Sequence, residues 1–172
     1  IRRFARLTGG TIETYIHMGG KVGVIAQFEL DGVCSCNEDF KEASHDLCMQ
    51  VAAVAPQYVS SDCIPEAVLA EEKEIQLNKA REENAKAAKP KPEAVIEKMI
   101  TGRLNKFYEE VCLLQQKFVK DDEITVAKML QNVSAKVGGK IELKNFVRYE
   151  KGEGIEKKKD DLAAEVAAMT QK

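Results

Sequence analysis

The chain has 172 residues, 26 basic and 28 acidic side chains, a net charge of −2 and no tryptophan. That length allows one domain with a real core, or a small core with an appended module, and the charge balance gives no reason to expect a polyanion as the main partner, so no direct nucleic-acid partner is expected. No apolar run reaches the length of a membrane span, and no signal-type apolar stretch follows Ile1-Arg2-Arg3-Phe4.

Residues 11–28 read as a β-hairpin: Gly19-Gly20 suits a tight turn, and Val22, Val24, Ala26 and Phe28 alternate onto one face. Residues 38–54 read as a helix with Phe40, Ala43, Leu47, Val51 and Val54 at helical spacing, stopped by Pro56. A polar, alanine-rich helix is predicted from Pro65 to about residue 86, then a break at Lys89-Pro90-Lys91-Pro92. A return helix is predicted to about Lys117, carrying Ile96, Ile100, Phe107, Val111, Leu114 and Phe118 at heptad-like spacing. The pair reads as an antiparallel helical hairpin, a coiled coil projecting from the core.

Thr125 is a predicted cap for a short helix bearing Val126, Met129, Leu130 and Val133, closed by Gly138-Gly139. Residues 140–149 alternate as a strand, with Ile141, Leu143, Val147 and Tyr149 assigned to one face and Asn145 interrupting. A Gly152-Glu153-Gly154 turn leads to a last helix with Leu162, Val166 and Met169. The fold class is therefore α+β, a small antiparallel sheet covered by helices. The expected units are residues 1–64 and 119–150 for the core, 65–118 for the hairpin and 151–172 for a C-terminal helical module.

Chemistry-bearing residues are sparse. Five cysteines, Cys34, Cys36, Cys48, Cys63 and Cys112, lack disulfide-framework spacing and read as reduced thiols. Cys34 and Cys36 with His45 and Cys48 are too loosely spaced for a structural zinc, so no metal is expected. His17 and His45 have no nucleophile or carboxylate partner at a recognisable spacing, and no phosphate-loop motif occurs. The chain reads as a non-enzyme without a cofactor.

Several segments resemble the elongation factor Ts family. Tyr15-Ile16-His17 with Gly19-Gly20-Lys21-Val22-Gly23-Val24 resembles its first hairpin, and His45-Asp46-Leu47-Cys48-Met49-Gln50-Val51 its core helix. Gly102-Arg103-Leu104 with Phe107-Tyr108-Glu109-Glu110-Val111 is similar to the return arm of its coiled coil. Phe146-Val147-Arg148-Tyr149 with Gly152-Glu153-Gly154 resembles its last strand and turn, and Ala163-Ala164-Glu165-Val166 its C-terminal module. These stretches follow family order, with a single hairpin–helix unit.

The resemblance implies a guanine-nucleotide exchange factor that binds GDP-bound elongation factor Tu and promotes GDP release. The implied partner-binding residues are Asp31, Gly32, Val33, His45, Met49, Asp161, Leu162 and Val166. The family usually carries Asn-Cys-Glu-Thr-Asp-Phe-Val-Ala after the second strand, where Asp-Phe wedges into its partner. Here Glu29-Leu30-Asp31-Gly32-Val33-Cys34-Ser35-Cys36 stands there, with Gly32 and Val33 at the wedge positions. An eroded wedge gives a second reading, a structural subunit of a larger assembly, and pairing through the sheet gives a homodimer. The expected compartment is a plastid stroma or a bacterial cytoplasm. The single core, the altered wedge and the missing initiator Met, read as a sign of processing, favour the plastid.

Overall fold

Val22, Val24, Ala26 and Phe28 point to one face of the second strand, and all four are buried. They form the floor of the core in a computed structural model that describes residues 2–87 and 91–155. Strand β1 (Thr11–His17) pairs antiparallel with β2 (Val22–Asp31), which pairs antiparallel with β5 (Lys140–Glu150), so the order is β1-β2-β5. Helix α1 (Glu38–Val54) lies on β1 and β2, and helix α4 (Val126–Val137) lies on β5 and α1. The expected α+β class and the small antiparallel sheet are both found.

The helix ends follow local chemistry. The Asn37 side chain accepts from the Phe40 N–H at the start of α1, and Thr125 accepts from the Lys128 N–H at the start of α4. Gly138, at φ +73°, ends α4 in the left-handed region that suits glycine. Of the expected apolar face of α1, Phe40, Ala43, Leu47 and Val51 are buried, while Val54 at the last turn is exposed.

Strand β5 departs from simple alternation. Phe28 pairs with Leu143 but Gln27 pairs with Asn145, so Lys144 is an extra residue in a β-bulge. A single inserted residue reverses the side-chain parity beyond it. Ile141 and Leu143 face the core before the bulge, and Phe146 and Arg148, opposite the buried Ala26 and Val24, take that side after it. The expectation that Val147 and Tyr149 share the face of Ile141 and Leu143 is thereby corrected.

Helix α2 (Glu66–Lys86) has one buried residue, Ala80, as its polar sequence implies. Helix α3 (Glu93–Val111) runs back along it: Val68 and Leu69 meet Phe107, Tyr108 and Val111 at one end, and Ala80 meets Ile96 and Ile100 further along. Ion pairs Arg81–Glu93 and Arg103–Glu83 cross between the two helices. Of the expected break at Lys89-Pro90-Lys91-Pro92, Lys89 and Pro90 lie outside the described residues, and Pro92 immediately precedes α3.

Helix α3 ends at Val111, short of the expected Lys117. The Gln57 and Tyr58 N–H groups donate to the Val111 carbonyl, and the Leu113 and Leu114 N–H groups donate to the Tyr58 and Val59 carbonyls. These bonds tie the chain after Val111 to residues 57–59 and lead it through a short 3-10 turn, Leu113–Gln115, so Leu113 and Phe118 enter the main core instead of extending a helical stripe. Strands β3 (Lys117–Phe118) and β4 (Asp121–Thr125) follow as a small hairpin that heptad spacing did not reveal.

On the sheet face away from α1, the N-terminal segment is tied down at both ends. The Arg2 guanidinium donates to the Gly154 carbonyl at 2.7 Å, Arg3 lies 4.7 Å over the Tyr149 ring, and Gln27 donates to the Thr8 and Gly9 carbonyls. Ile12 and Ile16 on the same face remain 39% and 74% exposed.

Candidate functional site

The loop after β2 is fixed by a close approach of two backbones. Asp31, the last strand residue, pairs with Lys140, and Gly32 follows at φ +70°. A Cβ at Gly139 would lie 2.5 Å from the Asp31 carbonyl oxygen and 2.6 Å from Val33 Cγ2, so glycine is required there. Asp31 and Gly32 are exposed, whereas Val33 is half-buried and packs against the main core.

The chain then turns, with the Asn37 N–H donating to the Cys34 carbonyl at 3.0 Å. This turn brings the Cys34 and Cys36 Cα atoms to 5.2 Å, within the range a disulfide needs, and their sulfurs are bonded. The expectation of two reduced loop thiols is corrected here: sequence spacing alone did not show that the turn before α1 would face the sulfurs together.

His45 is exposed on α1. Its Nδ1 lies 3.6 Å from Glu13 Oε1, and its ring meets Tyr15 edge-on at 5.3 Å, while the Tyr15 hydroxyl lies 2.9 Å from His17 Nδ1. Met49, one turn later on the same helix face, is half-buried. His45 therefore sits beside β1, and residues 31–33 sit beside the start of β5. Among the described residues no hydrogen bond or ion pair joins the two groups. Asp161, Leu162 and Val166 lie outside the described residues.

Two polar residues of α1 do more than the sequence reading assigned. Asp46 is buried and its carboxylate pairs with Lys120 Nζ at 2.7 Å. That hydrogen bond, with the attraction of the charge, holds the Lys120 ammonium above the usual lysine range. Gln50 is fully buried: its amide donates to the Lys117 carbonyl at 2.8 Å and accepts from the Val119 N–H at 2.9 Å. Together Asp46 and Gln50 fasten the β3–β4 hairpin to the helix that carries His45 and Met49. The available signal was their i, i+4 spacing inside the buried stripe of Ala43, Leu47 and Val51, where unpaired polar groups are costly.

Among the described residues no group of three or more His, Cys, Asp or Glu side chains is disposed to hold a metal, and no helix is long and apolar enough to cross a membrane.

A family model described as Elongation factor TS matches residues 1–153. The chain is 45% identical to Elongation factor Ts of Desulforamulus reducens over 162 residues, covering 93% of this chain and 71% of the relative. It is also 45% identical to the protein of that name from Carboxydothermus hydrogenoformans over 163 residues, 94% of this chain and 72% of the relative. A third such relative, from Clostridium kluyveri, is 45% identical over 168 residues, 96% of this chain and 52% of that longer protein. These relatives are bacterial and give the expected plastid compartment no support, nor do they support the structural-subunit reading.

Proposed function

We propose, from the premise that this chain belongs to the elongation factor Ts family, that it binds GDP-bound elongation factor Tu and promotes GDP release. The observation that carries this reading is the match along 1–153, which spans the sheet, α1, the loop and both arms of the α2–α3 pair. The bacterial relatives favour the bacterial cytoplasm as the place of action.

The partner surface consists of Asp31, Gly32 and Val33 at the end of β2 and His45 and Met49 on α1, completed by Asp161, Leu162 and Val166. No covalent step is needed. Binding favours a conformation of elongation factor Tu with poor GDP affinity, so by linkage GDP weakens the protein complex to the same degree. Val33 supplies less apolar area than the Phe usual at that place and is turned toward the core. Exchange is therefore slower than with an Asp-Phe wedge, since a buried aromatic at an interface contributes about 2 kcal/mol or more.

The α2–α3 pair, within residues 65–118, serves as a coiled-coil arm projecting from a core made of 1–64 and 119–150, with 151–172 as a C-terminal docking module. The apolar contacts and cross-helix ion pairs along the pair support the arm. The exposure of Ile12 and Ile16 supports pairing of two copies through the sheet. Calorimetry with purified elongation factor Tu tests the binding reading. Affinity should fall as GDP is added, and an affinity indifferent to GDP would refute linkage between the two.

A further inference from the structure

Four of the five cysteines fall into two chemical groups, and the fifth, Cys63, is an exposed free thiol. Cys48 and Cys112 are buried, and burial pushes their thiols up to about 12 and about 11, so they stay protonated and shielded. Cys34 and Cys36 are exposed and bonded to each other in the turn between Val33 and the Asn37 cap of α1. The Cys36 N–H lies 3.3 Å from Cys34 Sγ, a donor that favours a thiolate there once the bond opens. Cys36 also immediately precedes the N-cap of α1, where the helix terminus favours negative charge. In reducing compartments, disulfides that do form are transient, catalytic or sensing.

We propose that Cys34 and Cys36 form a reversible dithiol–disulfide switch, closed by small-molecule disulfides such as glutathione disulfide, that governs the loop at residues 31–33. The Cys34 thiolate attacks the small disulfide, forming a mixed disulfide and releasing one thiolate. The Cys36 thiolate then attacks Cys34 Sγ, forming the internal bond and releasing the second. Two protein thiols are oxidised, one small disulfide is reduced to two thiols, and the two protons pass to the leaving thiolates or solvent. Excess thiol reverses both steps.

The closed ring holds the turn between two fixed points, Val33 on the core and Asn37 on α1. It therefore keeps Val33 packed inward, while the strand pairing itself holds Asp31 beside Lys140. Opening the ring frees residues 34–36 and lets Val33 leave the core for a partner. The dithiol form is the stronger exchange partner and the disulfide form the weaker. This regulation rests on reading the loop as a contact with elongation factor Tu.

The test uses the full chain equilibrated in buffers of reduced and oxidised glutathione, with Cys63→Ser to remove the exposed thiol outside the pair. Acid quenching, alkylation and peptide mass analysis report the bond, and GDP release from elongation factor Tu reports the consequence. We expect an internal Cys34–Cys36 bond and a drop in exchange of at least about fivefold on oxidation, the lower end of couplings between linked sites. A Cys34→Ser/Cys36→Ser variant should exchange at one rate in every buffer. Stable mixed glutathione adducts, or a double variant that still responds, would overturn the switch. Equal exchange by oxidised and reduced protein overturns the switch alone. Exchange absent in both states overturns the elongation factor Tu reading and the regulation with it.

Discussion

Replacing Gln50 by Met keeps nearly the same side-chain length but removes one donor and one acceptor from the core. The structure shows what is lost: the bond to the Lys117 carbonyl at 2.8 Å and the bond from the Val119 N–H at 2.9 Å. Each orphaned group costs roughly 1–3 kcal/mol when water cannot reach it. The β3–β4 hairpin lies at the surface, with Lys117, Val119 and Lys120 exposed, so water rescues part of that cost. The lower bound for two groups gives about 2 kcal/mol for Gln50→Met. Gln50→Ala also leaves a cavity and should cost about 2 kcal/mol more. Urea unfolding followed by far-ultraviolet circular dichroism measures both losses. Amide exchange at Val119 supplies a local readout, protected in the parent and fast in either variant. A loss below about 0.5 kcal/mol for Gln50→Met, within the range of ordinary surface changes, would refute the claim that Gln50 anchors the hairpin.

Gly139→Ala forces a Cβ against the Asp31 carbonyl and Val33, so it should cost about 1–3 kcal/mol and weaken binding to elongation factor Tu, read by denaturation and calorimetry. Glu142 is hydrogen-bonded by Lys140 and then Lys144, which lowers its carboxyl to about 2. Its contribution to stability is therefore full above the ordinary carboxyl range near 4.5 and is lost as pH falls through about 2. Carboxyl titration by NMR should place the midpoint there, and Glu142→Gln should remove that part of the acid dependence. Ile16→Lys puts a charge on the open face of the sheet and should shift a concentration-dependent dimer toward monomer in sedimentation, with little change in unfolding.

What the sequence revealed depended on how local the deciding physics was. Alternation along β2 and the Thr125 and Gly138 caps of α4 are decided by neighbours in the chain, and each lies where its residues imply. The β5 bulge is decided elsewhere: Lys144 reads like any alternating polar residue, and only its pairing with β2 shows it to be an extra one. The end of α3 is likewise set by Tyr58 and Val59, over fifty residues away in sequence, whose carbonyls take up the N–H groups of Leu113 and Leu114. On the candidate surface, His45 was picked out by family likeness, and the chemistry of His45 alone did not mark it. Its setting against Glu13 and Tyr15 required the packing of α1 on β1. Asp46 and Gln50 stood in plain view as polar residues in an apolar stripe, but their partners on the β3–β4 hairpin are visible only after folding.

Stopped-flow release of a fluorescent GDP from elongation factor Tu tests the central claim most directly. The parent chain should accelerate release in proportion to its concentration before saturating. Gly32→Asp with Val33→Phe should accelerate it further, since Asp tolerates the left-handed backbone at residue 32 better than most residues. Release that stays at the spontaneous rate at every concentration of the parent chain would contradict the account.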